Sequence, residues 1–183
     1  LIRYYGCVTC HNLPDPAGMG RWGPDLDVIG DKTTSDWMDR WLKDPSDVLP
    51  EARMPAIPLT DPERNALVKF LVGQRGLGKV ALVGDGDARK GKRIFDSVQC
   101  LSCHSLGGRG GETAPTLDRV AEKVKVRWLI AYLLNPTRVV PNSTMSDFGF
   151  TQKQAEDVAA YLLGTHPVVE TASIGEDPSM QKW

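Results

Sequence analysis

GCVTCHN, residues 6–12, holds two cysteines three positions apart, Cys7 and Cys10, with His11 directly behind the second. QCLSCHS, residues 99–105, repeats the unit with Cys100, Cys103 and His104. The likeness extends past these units, because an offset of 91 lays residues 24–73 over residues 115–164 without a gap. Pro24, Leu26, Trp37 and Leu42 then meet Pro115, Leu117, Trp128 and Leu133, and Met54, Thr60, Leu71 and Gly73 meet Met145, Thr151, Leu162 and Gly164. About a quarter of the aligned positions are identical, and Trp41 with Tyr132 and Phe70 with Tyr161 are exchanges of like for like. The chain reads as a duplicated domain.

The remaining bounds are consistent with two small globular units. Hydrophobic residues make up 41% of the 183 and charged ones 25%, which supports a packed core. A formal charge of −1 removes the basic surface that nucleic-acid binding requires, so no nucleic-acid partner is expected. No apolar run approaches the ~20 residues of a spanning helix, so no membrane insertion by this chain is expected. The sequence opens at Leu1 rather than at Met, with no signal peptide in view, as for a processed protein or a piece of a longer one.

Helical periodicity recurs in each unit. Thr34 precedes a segment with Trp37 and Trp41 four apart on one face, ending before Pro45. Thr60 with Glu63 forms a capping-box pattern, Pro62 sits in the first turn, and Gly73 follows the end. The segment from Thr151 to Gly164 repeats the design. Asp87 caps a helix whose apolar face carries Ile94, Phe95 and Val98, whereas the first unit has only residues 1–6 in that place, so its opening helix is expected to be cut short and the natural chain to extend upstream. No sustained alternation argues for sheet. The organisation is thus a first domain over 1–75, a glycine-spaced linker over 76–87, a second domain over 88–166 and a tail over 167–183 expected along the surface.

Two thiols on one turn can each add across a haem vinyl group and form thioethers, leaving the adjacent histidine facing the iron. Other uses of the pattern stay open but fit less well. A disulfide within CxxC closes a tight ring and leaves the histidines without a purpose, and a redox CxxC belongs to a βαβ context that is missing. A structural zinc needs four ligands, where one cluster supplies three.

In the order of its parts the chain resembles the class I c-type cytochromes, specifically a two-haem protein of two such domains in tandem. The resemblance covers nearly all of residues 1–164 and implies an all-α fold, each domain a small helical bundle around one covalent haem c. It implies cofactor attachment at Cys7, Cys10, Cys100 and Cys103, and axial ligation by His11 and His104. It further implies that the carbonyls of Pro24 and Pro115 accept from those imidazoles. A loop methionine supplies the opposite ligand in that family. Met54, 43 residues after His11, and Met145, 41 after His104, sit at one aligned position in proline-bounded loops, so both are taken as ligands, with packing as the alternative. Met19 lies too near its histidine, Met38 reads as helix core, and Met180 is in the tail. Ser146 stands where the first unit has Pro55, so a looser second loop is expected. Trp41 and Tyr132 read either as donors to haem propionates or as core, and Arg21 and Arg53 either as propionate partners or as solvated charges.

Function follows from the ligand set. Two irons closed by histidine and methionine leave only electrons to exchange, so the expectation is an electron-transfer protein, not an enzyme, with redox proteins as donor and acceptor. It would be periplasmic or on an equivalent extracytoplasmic side, free or as part of a membrane respiratory complex. The alternative is a two-haem redox enzyme, of peroxidase or thiosulfate-oxidising type, with one iron opening to substrate. His166 is the only spare histidine for such a site.

Overall fold

A computed structural model describes residues 1–13, 22–78, 81–82 and 84–164. Met19, Arg21, His166, Met180 and the tail lie outside the described residues, as does part of the linker.

After a 3-10 turn at Cys7–Thr9 come α1 (Ile29–Lys32), α2 (Ser35–Lys43), α3 (Pro45–Val48) and α4 (Asp61–Val72). Then follow α5 (Ala88–Ser97), a second 3-10 turn (Cys100–Ser102), α6 (Val120–Lys123), α7 (Val126–Leu134), α8 (Pro136–Val139) and α9 (Gln152–Leu163). Helices α6 to α9 begin and end 91 residues after α1 to α4, without exception. Local sequence explains each boundary. Thr34 accepts from Trp37 N at 3.2 Å to open α2, and Asp44 both ends α2 and caps α3 through the Ser46 amide at 2.9 Å. Asn135 repeats this at α8 by accepting from Arg138 N at 2.9 Å.

The long helices α4 and α9 carry matched capping boxes. Thr60 N donates to Glu63 at 2.9 Å while Glu63 N donates back to the Thr60 hydroxyl at 3.4 Å; Thr151 and Gln154 do likewise at 2.9 and 3.3 Å. Each side-chain cap satisfies an amide the helix leaves orphaned. Thr60→Ala and Thr151→Ala are each expected to lower stability by about 1 kcal/mol, read as a shift of the urea midpoint at unchanged slope.

The two halves differ in what covers these helices. In the second, α5 crosses α9, and Phe95, Trp128, Ile130, Val158 and Ala159 form one buried cluster with α7. Asp87, the cap of α5, also donates its own N–H to Asp157 on α9 at 2.7 Å, tying helix start to helix middle. In the first half residues 1–6 form turns instead of a helix, and the core reduces to Met38, Leu42, Leu67, Val68 and Leu71. The consequence shows at one aligned pair: Tyr161 packs edge-on against Phe95 at 5.3 Å, whereas Phe70 is 46% exposed. The expectation of no sheet needs a small correction. Ser105–Leu106 and Arg109–Gly110 pair as a two-residue antiparallel hairpin, because Gly107 and Gly108 adopt the positive φ its turn requires. Two residues per strand are too few for alternation to register in sequence.

Candidate haem-binding site

Each CxxCH unit is wound into one tight turn. His11 N donates to Cys7 O at 2.9 Å and His104 N to Cys100 O at 3.0 Å, so both thiols and the imidazole leave a single loop of backbone. The residue before the first cysteine is left-handed in both units, Gly6 at φ 70 and Gln99 at φ 57. Gln99 is the only non-glycine with positive φ among the described residues. Such backbone is held where the surroundings over-determine it, commonly at a functional site. None of the four cysteines is in a disulfide. Burial pushes the Cys7 thiol up and the Cys100 thiol to about 11, so both stay protonated at neutral pH until they react.

The imidazoles are oriented from behind. His11 Nδ1 lies 2.8 Å from the Pro24 carbonyl and His104 Nδ1 2.7 Å from that of Pro115. A carbonyl only accepts, so Nδ1 carries the proton in each ring and the Nε2 lone pair is free for a metal. Gly23 is required beside the first ring, since a Cβ there would come within 2.5 Å of the imidazole.

The methionine loops are held differently. Met54 is half-buried against the first core, and Trp41 Nε1 donates to its sulfur at 3.0 Å. Met145 packs against the second core, its N–H donating to the Ser143 hydroxyl at 3.2 Å, which pairs with the Tyr132 hydroxyl at 2.7 Å. Trp41 and Tyr132 therefore both address the methionine loops, and each stacks on the tryptophan one turn before it, Trp37 at 4.9 Å and Trp128 at 4.8 Å. Asp147 accepts from Gly149 N at 2.8 Å, a side-chain turn that braces the second loop where Pro55 braces the first. Arg53 is exposed, as for a solvated charge.

These residues fit a covalently held haem. Among the described residues no group of three or more His, Cys, Asp or Glu is arranged to hold a metal ion by itself. Trp128 Nε1 is buried without a hydrogen-bond partner, an orphaned donor beside the second core where an acceptor belongs. Sequence reasoning missed Ser143, Gly23 and Gln99. Only the left-handed position shared by the two units carried a signal, and glycine and glutamine do not look alike.

Residues 88–166 match the cytochrome c family model. Over 100 aligned residues the chain is 34% identical to cytochrome c of Tetrahymena pyriformis, covering 44% of this chain and 90% of that protein. It is 31% identical over 97 residues to cytochrome c type-1 of Ascaris suum, covering 42% and 84%. It is 28% identical over 85 residues to a nitric oxide reductase subunit of Stutzerimonas stutzeri, covering 43% of this chain and 58% of that protein's length. With CxxCH turns, carbonyl-braced histidines and a cytochrome c domain in place, the chain belongs to the cytochrome c family, whose cofactor is covalently bound haem c.

Proposed function

We propose that the chain is a two-haem electron-transfer protein built from tandem cytochrome c domains, 1–75 and 88–166, each iron held between histidine and methionine. The single observation that carries the reading is the matched pair of sites. Each half has a CxxCH turn, an Nδ1–carbonyl brace at 2.8 or 2.7 Å, and a methionine at one aligned position after the short helix α3 or α8. The unbroken 91-residue recurrence of four helices supports duplication of the whole unit rather than of a motif.

Haem c supplies a one-electron couple when bound. The residues do the rest: Cys7, Cys10, Cys100 and Cys103 tether it, and His11 and His104 ligate through Nε2. Met54 and Met145 close the opposite side, and the apolar cores around them disfavour the extra ferric charge. Both couples would be oxidising, and neither site would admit a substrate. Redox proteins are then the partners, and maturation chemistry of this type places the chain in the periplasm or an equivalent extracytoplasmic space. Among the described residues no helix is long and apolar enough to cross a membrane. The likeness to a nitric oxide reductase subunit supports service as a subunit of a larger complex, and the likeness to cytochrome c proteins supports a free carrier.

The test is a pyridine haemochrome assay with intact mass on matured protein, expected to give two haems per chain and one after Cys7→Ser with Cys10→Ser. One haem in the unmodified chain, or ready binding of carbon monoxide or cyanide to a ferric or ferrous iron, overturns the reading.

A further inference from the structure

Two lysines at the junction of the halves have no role in the reading above. Lys32, at the end of α1, lies over the Trp128 ring at 4.6 Å from its centroid. Lys123, at the end of α6, lies over Trp37 at 5.0 Å and Trp41 at 5.9 Å. Lys32 and Lys123 are related by the offset of 91, and so are Trp37 and Trp128. The contact is therefore reciprocal: each half sends its lysine onto the other half's tryptophan, Lys123 reaching Trp41 as well, as across a two-fold axis. The backbone holds the arrangement, with Lys125 N donating to Lys32 O at 2.8 Å and Lys125 Nζ to Gly30 O at 2.8 Å.

Such a pair is costly as it stands. Both lysines are half-buried, and the Lys32 pKa is pushed down to about 8, by desolvation first and by the Lys123 charge second, while desolvation also lowers that of Lys123. Neither pairs with a carboxylate among the described residues. The adjacent acids are engaged elsewhere: Asp31 accepts from Gly76 N and Leu77 N at 2.8 and 2.9 Å, and Glu122 binds Arg119 at 2.7 Å and Arg40 at 3.4 Å. A ring face alone returns less than an anion would to a partly desolvated cation. Two like charges drawn together, with the orphaned Trp128 Nε1–H beside one of them, call for an anion brought from outside the chain's own acids.

The aromatic pairs show which anion is at hand. Trp41, under Lys123, donates to Met54 sulfur, and Tyr132, stacked on the ring under Lys32, holds the Met145 loop through Ser143. Each lysine thus overlies the wall of the opposite half's haem site, and haem carries two carboxylates at its edge. We propose that Lys32 and Lys123 are crossed anchors for haem propionates, each lysine holding the cofactor tethered to the other half. The proposal rests on the two-haem reading. It makes the junction part of both sites, so that each haem's potential is set partly by the neighbouring half.

The test uses the matured protein with Lys32→Met and Lys123→Met, which keep the apolar stem and remove the charge. Haems are counted by pyridine haemochrome, and the two midpoint potentials are read by spectroelectrochemistry. The potentials are assigned beforehand with Met54→Ala, which displaces the first. A nearby cation favours the ferrous state, so Lys32→Met should raise the oxidised-to-reduced ratio about tenfold at the second haem, about 59 mV for one electron. Lys123→Met should do the same at the first. Lys→Arg at either position, retaining the charge, should stay within about threefold of the unmodified protein. Unmoved potentials, or a shift at the lysine's own-half haem, overturn the proposal with two haems still present. Should a methionine variant not mature, a Lys→Arg potential displaced by the full tenfold overturns it alone. A roughly tenfold rise in phosphate should leave all potentials unchanged; a shift as large as the substitution's assigns the site to a solution anion and overturns the propionate assignment. One haem in the unmodified chain instead sinks the two-haem reading itself.

Discussion

Gly91→Ala is expected to destabilise the second half by about 3 kcal/mol, and Gly91→Val to abolish its folding. Gly91 is buried in α5 where that helix meets α9, and a Cβ built there would collide with the Asp157 carbonyl oxygen. The helices can separate only by opening the contact between Phe95 and Tyr161 and the bond from Asp87 N to Asp157. Overpacking of this kind costs about 1–3 kcal/mol, occasionally more, and a backbone collision has no flexible partner to give way. The sign makes the test sharp. On an open helix surface glycine to alanine would stabilise by about 1 kcal/mol. Denaturant melts followed by circular dichroism decide it, and a midpoint equal to or above that of the unmodified protein would show that α5 does not cross α9 at this position.

Met54→Ala and Met145→Ala are expected to produce the largest functional change, a fall of one midpoint potential by ~0.1 V or more within the ~0.8 V that axial ligation commands. Each should also abolish one equivalent of the sulfur-to-iron charge-transfer absorption. On the proposed ligation the thioether favours ferrous iron, and its loss would open that face to water. The two variants should not be equal in their surroundings. Trp41 directs an indole N–H at the Met54 sulfur at 3.0 Å, while Tyr132 reaches Met145 only through Ser143. Trp41→Phe should therefore lower the first potential alone, by less than Met54→Ala. Retention of both charge-transfer equivalents in either methionine variant would remove that residue from the coordination sphere.

Much of this is legible without coordinates because its signals are local. Caps at Thr34, Thr60, Asp87 and Thr151 are decided by side chains within three residues of the amides they satisfy, and the structure has a cap at each. The CxxCH turn is equally local. Ser146 leads one to expect a looser second methionine loop, and the structure adds hydrogen bonds from Ser143, Tyr132 and Asp147 in and around that loop that no spacing rule announces. Helical spacing leaves Trp41 and Tyr132 as propionate donors or core; both make hydrogen bonds to the methionine loops, an option that spacing does not distinguish. The lysine pair is visible as an identity at offset 91, yet identity alone does not say that a side chain crosses to the other half.

By itself the amino-acid sequence determined the helical architecture, its recurrence every 91 residues, and the cysteine and histidine chemistry that marks a haem-binding chain, since each depends on contacts within a few residues. Tertiary structure alone decided which aromatic faces which methionine, how closely α5 approaches α9, and that Lys32 and Lys123 exchange places across the junction. Those outcomes depend on distances between segments far apart in the chain, where side-chain volume and the cost of burying charge, rather than local propensity, select the arrangement.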